Sequence, residues 1–290
     1  MRKMSASEYS LRRLSRYDVR KAILLSNDES WNQTEADWTF LIENPKNASF
    51  GVFDNERLIG TVTAMKHDCI SWIGMVLVDK SYRGRGIGKT LISTVLKAIG
   101  LGQSIGLDAT PAGKKVYAKF GFQEEYRIHR MTSPGVSSKT LNFIEDCGIR
   151  PVSDDDMVNI CAYDAIAFGA KRNELLEFLL ANNRKNCFLF EENDKIEGFV
   201  LGRTGSNYYH IGPLMASSVK IVELLILKVI KQLEAQAILL DVVADKMELV
   251  GFLENLGFSK KRHFIRMYQE ENLYSGLLEA QYLIGGPEYG

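Results

Sequence analysis

Residues Met75–Leu91 read MVLVDKSYRGRGIGKTL. A β-prone apolar run, Met75–Val78, leads into an Arg- and Gly-rich turn, and an amphipathic helical pattern starts at once. Gly84, Gly86 and Gly88 let main-chain N–H groups converge on one point, and the first turn of the helix adds a partial positive charge. This strand–loop–helix device cradles a pyrophosphate. Register excludes two forms of it. A nucleotide-triphosphatase loop needs Gly, four residues, then Gly-Lys-Ser/Thr. Gly88-Lys89-Thr90 supplies that ending, but Arg83 stands where the first glycine belongs. A dinucleotide loop needs Gly-x-Gly-x-x-Gly. Gly86 and Gly88 begin it, and Leu91 breaks it.

The chain has 290 residues, enough for two domains at roughly 100–200 residues each. Lys+Arg and Asp+Glu are equal at 36 each, so bulk charge points to neither nucleic acid nor an anionic membrane. No apolar run approaches the roughly 20 residues of a membrane span; the longest, near Ile221–Ile230, is broken by Glu223 and Lys228. The opening MRKMSASEYS has no apolar core, so no secretory signal is expected. Cys69, Cys147, Cys161 and Cys187 are widely spaced and do not cluster with the histidines. Neither a structural metal nor a disulfide scaffold is expected, and the cytoplasm is the natural compartment.

A weak internal repeat sets the architecture. Leu11-Arg12-Arg13-Leu14-Ser15 returns as Ile149-Arg150-Pro151-Val152-Ser153, Leu58-Ile59-Gly60-Thr61-Val62 as Ile196-Glu197-Gly198-Phe199-Val200, Ile73-Gly74 as Ile211-Gly212, and Phe120-Gly121-Phe122 as Leu256-Gly257-Phe258. The four pairs keep their order and nearly their distance. Each half reads as a short strand, two helical stretches (16–27 and 34–43, then 154–168 and 172–183), a hairpin, a central strand, a long helix, another strand, a short helix and a closing strand pair. The organisation expected is a first domain at 1–135, a linker at 136–147, a second domain at 148–270 and a tail at 271–290. Projected onto the second half, the glycine positions fall on bulky residues such as Val222 and Leu224, so no phosphate loop is expected there. Ala237-Ile238-Leu239-Leu240-Asp241 reads as a core strand ending in Asp241.

What the central stretch does fit is Arg-x-x-Gly-x-Gly, in Arg83-Gly84-Arg85-Gly86-Ile87-Gly88. With its lead-in from Val78 to Gly84 it resembles the acetyl-CoA motif of the GCN5-related N-acetyltransferases (GNAT). The resemblance is specific across about Ser10–Thr132 and only topological across Gly148–Tyr268. It extends to a bacterial subgroup with an active first unit, a degenerate second unit and a Gly-Pro-Glu-aromatic-Gly tail, here Gly286-Pro287-Glu288-Tyr289-Gly290. The fold class implied is α/β: two tandem acyl-CoA N-acyltransferase folds, each a mixed sheet flanked by helices. The cosubstrate implied is acetyl-CoA, with no metal. Main chain of Val76, Leu77 and Val78 would pair with the pantetheine arm. Arg83, Gly84, Arg85, Gly86, Ile87, Gly88, Lys89 and Thr90 would hold the pyrophosphate.

Tyr117 lies four residues before Gly121-Phe122, which matches the family's Tyr-x-x-x-Gly-Phe element, and the resemblance makes it the general acid. A phenol of ordinary pKa about 10 can protonate a departing thiolate of pKa about 8.5. The repeat puts Leu253 at the equivalent place in the second half. His67, Asp68, Asp79 and Asp108 remain open as bases. Trp31, Asn32, Trp72 and Thr110 are expected at the acceptor end of the cleft, and Trp38 in the core. The activity expected is acetyl transfer to a primary amine of a small molecule or amino acid. A non-catalytic acyl-CoA sensor and a protein N-acetyltransferase are the alternatives. The partners expected are a small-molecule amine, no nucleic acid and no membrane, in a monomer or homodimer.

Overall fold

The structure is a computed structural model and describes residues 9–136, 148–243 and 245–290. Most of the expected linker therefore lies outside the described residues.

The two halves begin alike. The first runs β1 (Ser10–Arg13), α1 (Val19–Asn27), α2 (Glu35–Glu43), the hairpin β2 (Ala48–Asp54) and β3 (Arg57–Lys66), and β4 (Ile70–Val78). Then come α3 (Ile87–Ile99), β5 (Ser104–Ala109), α4 (Pro111–Tyr117) and β6 (Phe122–Ser133). The second repeats the series as β7 (Ile149–Pro151), α5 (Met157–Phe168), α6 (Asn173–Asn183), β8 (Phe188–Glu192), β9 (Lys195–Thr204) and β10 (Tyr209–Ala216). It continues through α7 (Val219–Gln232), β11 (Ile238–Val243), α8 (Met247–Asn255) and β12 (Ser259–Gln269), and adds a short β13 (Gln281–Leu283).

The repeated Arg and Ser near each start have a physical role. Ser15 and Asp18 form a capping box, and Arg12 grips both Asp18 oxygens at 2.7 and 2.8 Å. Ser153, Asp156 and Arg150 build the same unit, both contacts at 2.7 Å. Each unit satisfies N–H groups at a helix start while fixing the preceding strand to it.

The thirteen strands of the described residues join in one sheet, in the order β1-β2-β3-β4-β5-β12-β6-β11-β13-β10-β9-β8-β7. Here the structure departs from expectation. Each half closes on a single long strand rather than a strand pair, and the missing partner comes from the other half. β12 pairs with β5, β6 pairs with β11, and β6 and β12 lie antiparallel at the centre. Local periodicity reports a strand but not its neighbour, so the exchange leaves no mark in the sequence. Asp241 is likewise not a strand end; it sits inside β11, fully buried opposite Arg130.

One apolar cluster is shared by both halves. Trp38, Leu41 and Met75 pack in it with Leu175, Leu179, Phe199 and Tyr289. Phe40 of α2 stacks on Phe178 of α6, ring centres 4.3 Å apart. Trp38 is core, as expected. No helix of the described residues is long and apolar enough to cross a membrane.

Candidate active site

β4 and β5 are parallel neighbours only as far as Ile73 and Leu107. The apex of the opening is fixed by shape: Trp72 lies across Gly106, where a Cβ would come within 2.3 Å of the indole. Beyond it the strands part, and among the described residues no strand pairs with the main chain of Gly74–Val78 on its β5 side.

A bulge prepares that bare edge. Thr63 pairs with Gly74 and Thr61 with Leu77, so Met75 and Val76 oppose the single residue Val62. Met75 adopts φ +49°, a costly conformation for a side chain of its size. The buried Thr61 hydroxyl holds it there by donating to the Met75 carbonyl at 2.8 Å. In a trans peptide C=O and N–H point opposite ways. With the Met75 carbonyl drawn towards β3, the Val76 N–H is aimed into the opening.

The opening ends at the glycine loop. Gly84 and Gly86 have φ +79° and +89°, and a Cβ at either would meet nothing within 4 Å. The loop therefore offers an open surface of bare backbone. The N–H groups of Ile87, Gly88 and Lys89 precede the first bond of α3, Thr90 N–H to Gly86 O at 3.1 Å. This concave run of donors at a helix start fits a phosphodiester anion. The two arginines are turned aside. Arg83 donates to Val78 O at 3.0 Å and to Glu29 at 2.5 Å, while Arg85 donates to the Tyr9 hydroxyl at 2.7 Å and lies over the Tyr82 ring. Lys89 is exposed.

Tyr117 closes α4, which starts from the end of β5. Thr110 caps that helix, accepting from Gly113 N–H at 3.1 Å. Gly113 has no Cβ to obstruct Tyr117, whose ring carbon Cε2 lies 2.9 Å from where one would be. Phe122 meets the same ring edge-on. The Tyr117 hydroxyl makes no hydrogen bond among the described residues. Burial pushes its phenol above the ordinary value, so it keeps its proton at neutral pH.

The acceptor end needs correction. Trp72 is fully buried, and its indole N–H donates to Pro287 O at 3.0 Å. Asn32 is also buried, bridging to the second half: it donates to Tyr208 O at 3.1 Å and accepts from the N–H groups of Asn207 and Tyr208 at 3.0 and 2.9 Å. Trp31 is half-buried, and its carbonyl accepts from Asn207. Among the open bases, Asp79 accepts from Ser81 and Arg57, and Asp108 is held at two points by Arg266. His67 lies beyond the far end of β4, before Ile70, where its Nε2 faces Tyr289 O at 3.2 Å. Burial first, then Arg172, lowers its pKa to about 3.

The same opening in the second half is filled. β10 and β11 part after Ile211 and Leu240, and β13 lies between them, Leu283 opposite both Leu214 and Val242. The chain thus lays its own extended backbone where the first half presents a bare edge. The sequence signal was faint, because β13 is only three residues long.

A splayed strand pair feeding a glycine loop at a helix start is an acyltransferase geometry; the fold that carries it is present twice, and the opening is bare in the first half and filled in the second. Two family models, each describing an acetyltransferase (GNAT) domain, match residues 160–282 and 45–124. The chain belongs to the GCN5-related N-acetyltransferase family, as a tandem member, and is an acyltransferase. It is similar to holothin acyltransferase of Pseudoalteromonas sp. (strain SANK 73390), 23% identical over 217 residues, which are 74% of this chain and 72% of that protein. Among solved structures, a putative acetyltransferase from Pyrococcus horikoshii shares the fold with a TM-score of 0.80 at 22% identity, covering 99% of this chain and 98% of that one. A tandem GNAT protein from the clavulanic acid biosynthesis pathway gives 0.61 at 13% identity, covering 90% and 98%.

Proposed function

We propose that the first half uses acetyl-CoA to acetylate the primary amine of a small molecule or amino acid, with one CoA bound per chain. The bare β4 edge with Val76 N–H aimed into it carries the reading. When bound, the thioester supplies an activated acetyl group. The glycine loop and the first N–H groups of α3 hold the pyrophosphate. The main chain of Val76–Val78 pairs with the amides of the pantetheine arm, as β13 pairs within the second half. Val76 N–H polarises the carbonyl, a contribution worth about 10²–10³ in rate for one such donor. Tyr117 keeps a proton for the departing sulfur. A small acceptor is supported by the relative named for a single compound, holothin.

The test is release of free thiol from acetyl-CoA across alkylamines, amino acids, polyamines and aminoglycosides, with the acetylated product identified by mass. Release matched by an equal amount of amide is expected with at least one class. Release no faster than spontaneous hydrolysis with all of them overturns the proposal.

A further inference from the structure

Residues Gly286–Gly290 run along the face of β4 that packs with α2, opposite α3, and they are tied down at several points. Pro287 O accepts from Trp72, and Gly290 O accepts from the buried Arg172 at 2.8 Å. The Tyr289 hydroxyl donates to Asp37 at 2.8 Å, and its carbonyl faces His67. The main chains come close at Gly74, where a Cβ would lie 2.8 Å from Glu288 Cα. Gly74 is two residues from Val76. The second half of the chain thus brings Glu288 against the deep end of the first half's opening, with its main chain and Cβ nearest Gly74 and its carboxylate held on Arg203.

The charges around Glu288 are unequal. Its Oε1 accepts from Arg203, whose other terminal nitrogen donates to Asp37 at 2.8 Å. Two buried carboxylates therefore share one guanidinium, whose Nη2 also faces the buried His210 Nδ1 at 3.4 Å. Asp108 and Asp241, the acids further off, each have an arginine of their own, Arg266 and Arg130. Arg262 also acts on this group but is itself exposed. Glu288 Oε2 accepts no hydrogen bond among the described residues, and Arg203 Nε is buried without a partner. A buried acid in this state is stabilised by an arriving cation. The carboxylates considered from sequence at the near end are taken: Asp79 by Ser81 and Arg57, and Asp108 by Arg266.

We infer that Glu288 receives the acceptor's ammonium in the first half's site and takes its proton before attack. This rests on the acetyltransferase reading above. One proton passes from the ammonium to Glu288 Oε2 and on to water. The freed nitrogen lone pair forms the C–N bond as the C–S bond breaks. Tyr117 gives its proton to the sulfur, and the second proton, lost by the nitrogen, restores the phenol.

The experiment compares the intact wild-type chain with Glu288→Gln, which keeps the volume and an acceptor for Arg203. Turnover is measured by thiol release with the best alkylamine of the panel, and acetyl-CoA affinity by equilibrium binding. Glu288→Gln should lower kcat/KM near neutral pH by about 100-fold. It should leave acetyl-CoA affinity within about threefold, and part of the lost rate should return at high pH, where water has already removed the proton. If Glu288→Gln does not fold, Glu288→Asp replaces it; the same split is expected, because the charge is kept but drawn back. Unchanged turnover overturns the inference. So does a loss of turnover that tracks a loss of acetyl-CoA binding and does not recover with pH, which would make the segment a strap alone. A wild-type chain inactive with every amine removes the acetyltransferase reading and this inference with it.

Discussion

Arg266 of β12 holds Asp108 of β5 at two points, Nε to Oδ1 and Nη2 to Oδ2, both at 2.9 Å. The pair recurs between Arg130 of β6 and Asp241 of β11 at 2.8 and 2.6 Å, again directly across a strand pairing. Each pair joins one half to the other. Burial works against the charge on Arg266, yet Asp108 outweighs it and holds that guanidinium well above its ordinary pKa. Burial would likewise raise Asp241, and Arg130 instead keeps it below the usual carboxylate range.

Removing one partner should therefore cost much more than removing both. Asp108→Asn strands a buried cation and should destabilise the fold by about 3–5 kcal/mol, whereas Asp108→Leu with Arg266→Met should cost far less. Denaturant midpoints measure both. A double variant as unstable as the single one would show that the pair does more than neutralise itself.

Thr61→Val removes the hydroxyl that clamps the Met75 carbonyl, with little change in volume. Turnover should fall about 100-fold as Val76 N–H loses its aim, with acetyl-CoA affinity nearly intact. An unchanged kcat would mean the bulge holds its shape without Thr61.

Tyr117→Phe should leave acetyl-CoA affinity intact and cut turnover by about 10²-fold or more. Gly113→Ala gives a sharper version, because alanine favours a helix by about 1 kcal/mol. A Cβ there must nevertheless displace the Tyr117 ring. A variant as stable as the wild type but slower is expected; full activity would take the ring's position out of the mechanism.

Gly86→Val forces a β-branched side chain into φ +89° and fills the bare cradle. Acetyl-CoA binding to the whole chain should disappear in calorimetry. One-to-one binding that survives would place a second site behind β13.

His67 donates to Tyr289 O as a neutral ring, with its pKa lowered to about 3 by burial and then by Arg172. The unfolded chain then binds more protons than the folded one between about pH 6.5 and about pH 3, so this group's share of stability falls as pH drops through that window. His67→Gln keeps an N–H donor and does not titrate. The stability gap between wild type and variant should narrow from about pH 7 to about pH 4.5 in urea melts. Parallel pH profiles would exclude His67 as the source.

The first half was largely readable because its signals are local. Glycine spacing, helix starts at Ser15 and Thr34, and Tyr117 before Gly121 each depend on neighbours a few residues away. Trp72 and Asn32 were misplaced for the opposite reason. Both are polar-tipped residues in the right stretch of chain, and what takes their polar atoms is Pro287 and the 205–208 turn, far off in sequence. Asp108 and Asp79 looked available because nothing local shows Arg266 or Arg57. The repeat foretold two copies of a fold, but β6 and β12 carry no mark of which sheet neighbour they take. Glu288 stood within a quoted motif, yet its place against Gly74 follows only from the path of residues 270–290.

The crossed closing strands set what a truncated gene product would do. A fragment ending after β6 would leave one edge of β5 and both edges of β6 unpaired, and such edges seek strands. A second copy of the same fragment offers both, β5 to the other's β6 and the reverse, about a twofold axis between the two β6 strands. That is an isologous dimer with two open clefts, neither of them carrying Glu288. The full chain covers the same edges within one polypeptide, so one cleft can be sealed without disturbing the other.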